Sequence, residues 1–155
     1  MKRTAHTITI RQDYGYVERR SATDEEVRQQ IMKSARATMD TQVKEQTLQA
    51  SIVKLAHLTG WEWIHHASDS RFSNAGLPDL ILARRSPERL IFAELKTEAG
   101  KLSKGKWYGK GSKAHYELGQ DEVLTVLREI KGIEVYLWRP HDWSSGEIER
   151  ILKGT

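Results

Sequence analysis

The chain has 155 residues, of which 38% are apolar, with a formal net charge of +4 and an isoelectric point near 9.3. It holds no cysteine, so disulfides and thiolate zinc centres are excluded. No apolar run approaches the length of a membrane span, and Met1-Lys2-Arg3 lacks the apolar stretch of a secretory signal, so a cytoplasmic protein with no membrane partner is expected.

In chain order, Thr7 to Ile10 alternates like a short strand, and the polar, turn-like residues after it carry no assigned role. Thr23-Asp24-Glu25-Glu26 has the residue types of a capped helix start. The helix should run to about Met39, with Val27, Ile31, Ala35 and Met39 on one narrow apolar stripe. Residues 1–41 therefore read as an extension that packs on the main domain or on a partner, and residues 42–155 as the main domain.

A second helix is expected over about 42–59, with Leu48, Ile52, Leu55 and Thr59 on its packing face. Glu45 falls on that stripe one turn upstream of Leu48. It is either a first-turn acid favoured by the helix dipole or part of an acidic cluster. After Gly60, residues 61–66 read as a strand with Trp61, Trp63 and His65 on one face. His65 and His66 lack further ligands at zinc spacing and fit an exposed strand end. The polar loop that follows offers Ser70 and Arg71 as phosphate contacts or as capping residues.

Residues 76–96 organise the rest. Asp79 follows a Gly-x-Pro turn and opens the apolar run Leu80 to Ala83; Leu90 to Ala93 leads into Glu94 and Lys96. Strand alternation puts Glu94 and Lys96 on one face with Leu95 on the other. The turn at residues 84–89 folds the first strand beside the second and brings Asp79 toward Glu94. Charges in so apolar a setting are costly unless they meet a metal or one another.

Residues 97–115 carry five lysines (101, 104, 106, 110 and 113) against one acid, Glu98. With Trp107 and Tyr108, this stretch reads as a flap for a phosphate backbone and for stacked bases, or as a flexible β-ribbon without a ligand. A basic loop beside an acidic site suits nucleic acid. A helix follows over about 117–130, with Val123, Leu124 and Leu127 inward and Gln120 on the same face near its start. Residues 133–139 are a buried strand that Pro140 stops, and a short helix closes the chain. The order is helix, three strands, helix, strand: an α/β fold with a mixed sheet covered by helices.

Asp79, Glu94 and Glu45 offer hard oxygen ligands, with the Leu95 carbonyl as a further one, which favours Mg²⁺ or Mn²⁺ over zinc. Lys96 is placed to orient or deprotonate a water, and Gln120 to hold Lys96 or that water. In-line hydrolysis of a phosphodiester fits this set.

The blocks GLPD and ELK resemble the PD-(D/E)xK nuclease superfamily. With EQTLQASIVKLAHLTGW before them and GKLS, a later Gln and VYLWRPHDW after, residues 43–152 are similar to the small stand-alone VRR-NUC (virus-type replication-repair nuclease) domains. The resemblance implies a restriction-endonuclease-like core and metal ligation by Asp79 and Glu94. It further implies catalysis by Lys96, supporting roles for Glu45 and Gln120, and a homodimer acting on DNA, branched or junction DNA included. One departure is clear: about residues 101–116 form a Lys/Gly-rich insertion where the family's Gln usually follows GKLS closely. Two other readings stay open, a DNA-binding module that no longer cuts and a structural ion-pair cluster in an interaction domain.

Overall fold

The computed structural model describes residues 7–11, 17–21, 23–66 and 76–154, so Ser70 and Arg71 lie outside the described residues. The chain divides into two compact units, Met1–Met39 and Asp40–Thr155. In the first, β1 (Thr7–Arg11) pairs antiparallel with β2 (Val17–Ser21), a strand that its polar sequence did not announce. Helix α1 (Asp24–Asp40) follows. Its start is a capping box: the Glu26 N–H donates to Thr23 Oγ1 at 3.2 Å, and the Thr23 N–H donates to Glu26 Oε2 at 2.8 Å. Ile31, Met32 and Met39 stand exposed along α1. Asp40, its last residue, belongs to the second unit, where its buried carboxylate accepts the Ser144 hydroxyl at 3.0 Å.

The second unit is an α/β fold built on a four-stranded mixed sheet in the order β3-β4-β5-β8. Strands β3 (Trp63–His66), β4 (Leu80–Arg85) and β5 (Glu88–Leu95) run antiparallel in succession, and β8 (Glu134–Trp138) lies parallel to β5. A parallel neighbour needs a crossover, which helix α3 (Gln120–Arg128) supplies. Between β5 and α3 the Lys/Gly-rich insertion forms a two-stranded ribbon, β6 (Lys106–Tyr108) and β7 (His115–Glu117). Helix α3 therefore starts later than its apolar pattern indicates, because Glu117 closes the ribbon. No helix of the described residues is long and apolar enough to cross a membrane.

Alternation along β4 and β5 gives the sheet two faces. Leu80 and Leu82 pair with Ala93 and Ile91, and all four are buried with Leu48, Ile52 and Ala56 of helix α2 (Glu45–Leu58). Ile148 and Leu152 of α5 (Glu147–Lys153) complete this core. Each leucine or isoleucine among them contributes about 1.5–3 kcal/mol by leaving water. Leu55 and Thr59 are only partly buried; Ala56 takes the central slot on the packing face of α2. The opposite face of β5 carries Glu94, and there the first residue of α3 meets it.

Trp61 precedes β3 rather than sharing a face with Trp63. It is buried, its indole N–H donates to the Leu152 carbonyl at 3.1 Å, and the Arg84 and Arg89 guanidinium carbons lie 4.8 and 5.3 Å from its ring centre. Trp63, on the edge strand, is 54% exposed. Pro140 does not simply stop β8. It opens a short helix, α4 (Pro140–Ser144), at the position where a missing N–H costs nothing.

Candidate active site

The polar residues singled out in the sequence meet at the ends of β4 and β5. The last antiparallel pair is Leu80 with Ala93, so one step further Asp79 stands opposite Glu94. Asp79 Oδ2 accepts the Leu95 N–H at 2.8 Å, which fixes the Asp79 carboxylate across the strand end. Gln49 of α2 donates to the Asp79 carbonyl at 3.4 Å. Glu94 is wholly buried, and Lys96 is 8% exposed.

Glu94 Oε1 carries two donors, the Lys96 ammonium at 2.5 Å and the Gln120 side-chain amide. Its other oxygen, Oε2, is buried without a hydrogen-bond partner. Burial pushes the Glu94 carboxyl up from 4.5 to about 7; the Lys96 ammonium pulls it down and the Asp79 charge adds to the rise. Lys96 Nζ also donates to the Leu95 carbonyl at 3.1 Å. The ammonium thus sits on two oxygens that the sequence nominates as cation ligands.

The sequence places Gln120 to hold Lys96 or a water; its side-chain amide donates to Glu94 itself. Its own carbonyl oxygen accepts the Ser103 N–H at 3.0 Å, and its backbone N–H donates to Ser103 Oγ at 3.2 Å. The insertion therefore leaves Gln120 in the site because Ser103 clips the segment before β6 to the start of α3. This docking demands glycine at residue 119: a Cβ there would lie 2.3–2.5 Å from Lys104 C, Ser103 O and Gly105 N.

Glu45 lands close by. Helix α2 covers the face of Leu80 and Ala93, while Glu94 projects from the opposite one. From its side, Glu45 reaches the strand end and accepts the Thr97 N–H at 3.0 Å. The sequence offers Glu45 either as a first-turn acid or as part of an acidic cluster; here one of its carboxylate oxygens is taken by the Thr97 N–H. His65 and His66 are exposed on the edge strand.

Arg139 was not singled out in the sequence. Its guanidinium donates to the carbonyls of Thr97, Glu98 (3.1 Å) and Gly100 (2.9 Å), and the Lys96 N–H donates to the Trp138 carbonyl at 3.0 Å. An Arg just past a strand gives no local signal for a clamp on a loop some 40 residues earlier. Of the five lysines, Lys104 is paired with Asp121 at 2.5 Å, while Lys101, Lys106, Lys110 and Lys113 are exposed.

Glu94 Oε2, an orphaned and buried acceptor beside a second carboxylate, fits a hard divalent cation, and the donor set of carboxylate and carbonyl oxygens suits Mg²⁺ or Mn²⁺. Asp79, Glu94 and the Leu95 carbonyl are the groups placed to hold it. Compared with protein-family models, curated proteins and solved structures, the chain gives no match.

Proposed function

We propose that the chain is a metal-dependent endodeoxyribonuclease of the PD-(D/E)xK, VRR-NUC type, with a restriction-endonuclease-like core, hydrolysing phosphodiester bonds in DNA. The observation that carries this reading is Glu94: a buried carboxylate with one oxygen unpartnered, an acid opposite it and an ammonium on its other oxygen. A purely structural ion pair gains little from burial, and it would not leave an acceptor orphaned.

When bound, a divalent ion supplies charge neutralisation at the phosphate and acidifies a water. The chain's own residues do the rest. Asp79 and Glu94 hold the oxygens in place, each fixed by a hydrogen bond, from the Leu95 N–H and from Gln120. Lys96 presents a positive charge on the same face, placed to hold a phosphate oxygen or to orient the attacking water. Glu45 and Arg139 keep the segment after Lys96 from moving. Replication, recombination or repair of phage or bacterial DNA is the setting this reading implies, and a homodimer would suit paired cuts in a junction.

The test is cleavage of labelled duplex, flap and four-way-junction DNA with Mg²⁺ or Mn²⁺, wild type beside Lys96→Ala, with EDTA as control. Metal-dependent cutting that Lys96→Ala loses is the expected result. Salt-sensitive binding by both proteins without any cutting would refute the nuclease and leave the DNA-binding module.

A further inference from the structure

The ribbon β6–β7 carries a feature that the cleavage chemistry does not use. Trp107 and Tyr116 face each other across its two strands, with ring centres 5.4 Å apart and planes tilted by 55°. The Tyr116 hydroxyl donates to Glu122 Oε1 of α3 at 2.8 Å, so the tyrosine is pinned and the indole leans on a fixed support. Trp107 is nevertheless 73% exposed. On the other face Tyr108 stacks on His115 at 5.9 Å. Large exposed apolar rings held in place are costly to leave in water and mark a binding surface.

The charges beside these rings favour one kind of occupant. Between residues 106 and 117 there are three lysines, 106, 110 and 113, and one carboxylate, Glu117, which His115 engages at 3.2 Å. None of the three lysines has an ion-pair partner among the described residues, whereas Lys104 at the ribbon's root is neutralised by Asp121. Free positive charge interleaved with presented aromatic rings matches a polyanion with flat, unpaired faces. Duplex DNA offers the polyanion but hides the faces inside its stack.

The root of the ribbon adjoins the candidate active site. Ser103 and Gln120 are hydrogen-bonded, and Gln120 touches Glu94. Lys106 follows Ser103 by three residues, a reach of about 10 Å at most.

We propose that the ribbon is a stacking arm for unpaired nucleotides, so that the substrate class is DNA with a single-stranded segment next to a duplex. An unpaired base stacks on Trp107, and the phosphates around it lie on Lys106, Lys110 and Lys113. This rests on the nuclease reading for its consequence in cleavage, but the binding itself does not require metal.

The experiment measures binding of fluorescein-labelled DNA in EDTA, comparing a blunt duplex with the same duplex carrying a ten-nucleotide single-stranded tail. The full chain is used, as wild type, Trp107→Ala, Trp107→Phe and the triple change Lys106→Ala, Lys110→Ala, Lys113→Ala. Wild type should bind the tailed duplex about tenfold or more tightly than the blunt one, Trp107→Ala should lose most of that preference, and Trp107→Phe should keep it. The triple variant should weaken binding and flatten its dependence on salt by about two in log–log slope. Equal binding of tailed and blunt DNA by wild type, or a tail preference untouched by Trp107→Ala, overturns the proposal. A parallel cleavage assay with Mg²⁺ separates the two readings. Tail preference without cutting refutes the nuclease alone, and Lys96-dependent cutting without tail preference refutes the arm alone.

Discussion

Replacing Glu94 with Gln separates what the site does for stability from what it does for chemistry. Gln keeps the shape and can accept from both Lys96 and Gln120 through its carbonyl, while its NH₂ would replace the unpartnered Oε2 and carry no charge. In the metal-free protein the folded-state carboxyl ionises near 7 instead of 4.5, so between those values the folded state binds more protons than the unfolded one. Stability from this group is fully present below about 4.5, falls as pH rises, and is gone above about 7. At 1.36 kcal/mol per pH unit, the gap from 4.5 to 7 amounts to about 3 kcal/mol, or roughly 10 °C in melting temperature. Thermal melts in EDTA at pH 5.5 and 8.5 should show wild type losing stability relative to Glu94→Gln as pH rises. At pH 8.5 the variant should be the more stable protein, and Mg²⁺ should stabilise wild type but not the variant. A wild type that gains on Glu94→Gln between pH 5.5 and 8.5, or a variant that is less stable at pH 8.5, refutes the account of Glu94 as a carboxyl whose burial outweighs the pull of the Lys96 ammonium.

Two more perturbations test the frame around the site. Arg139→Ala strips the donors from three carbonyls after Lys96 and should cost about 2–3 kcal/mol in chemical denaturation, with faster amide exchange over residues 97–100. Unchanged exchange there would refute the clamp. Gly119→Ala puts a methyl group into the backbone of residues 103–105, should cost about 1–3 kcal/mol, and should loosen the Ser103–Gln120 contact, read as lost amide protection at Ser103. Native-like stability and protection in this variant would show that the docking tolerates a Cβ.

How far the sequence reached depended on how local each interaction is. Glu94 and Lys96 declare their shared face through alternation alone, and the Gly-x-Pro turn with the apolar run after it places Asp79 at the mouth of a hairpin. The packing stripe of α2 was readable because 3.6-residue periodicity is local too. Contacts made over long separations left no such trace. Glu45 spends its carboxylate on the Thr97 N–H, Gln120 reaches back to Glu94, Lys104 is drawn off by Asp121, and Arg139 holds three distant carbonyls. Each of these is settled by how the elements pack, not by spacing. Strand β2 escaped for a different reason: Val17 to Ser21 has no apolar alternation, and only pairing with β1 gives it order. Pro140 was ambiguous because a residue that ends a strand is equally suited to begin a helix.

The hairpin that carries Asp79 and Glu94 turns on two residues, Ser86 and Pro87, between the paired Arg85 and Glu88. That turn touches no part of the site, yet its length sets which residue faces which. Lengthen or shorten it by one, and the ladder must slip by a residue or bulge to absorb the change. In a slipped ladder Asp79 would stand against Ala93 or Leu95, and Glu94 would exchange faces with its neighbours relative to Asp79. Point substitutions in the turn are cheap for the site, whereas single-residue insertions or deletions there are ruinous to it. Tolerance to sequence drift and tolerance to length drift thus part company at this hairpin, seven residues from the carboxylates it aligns.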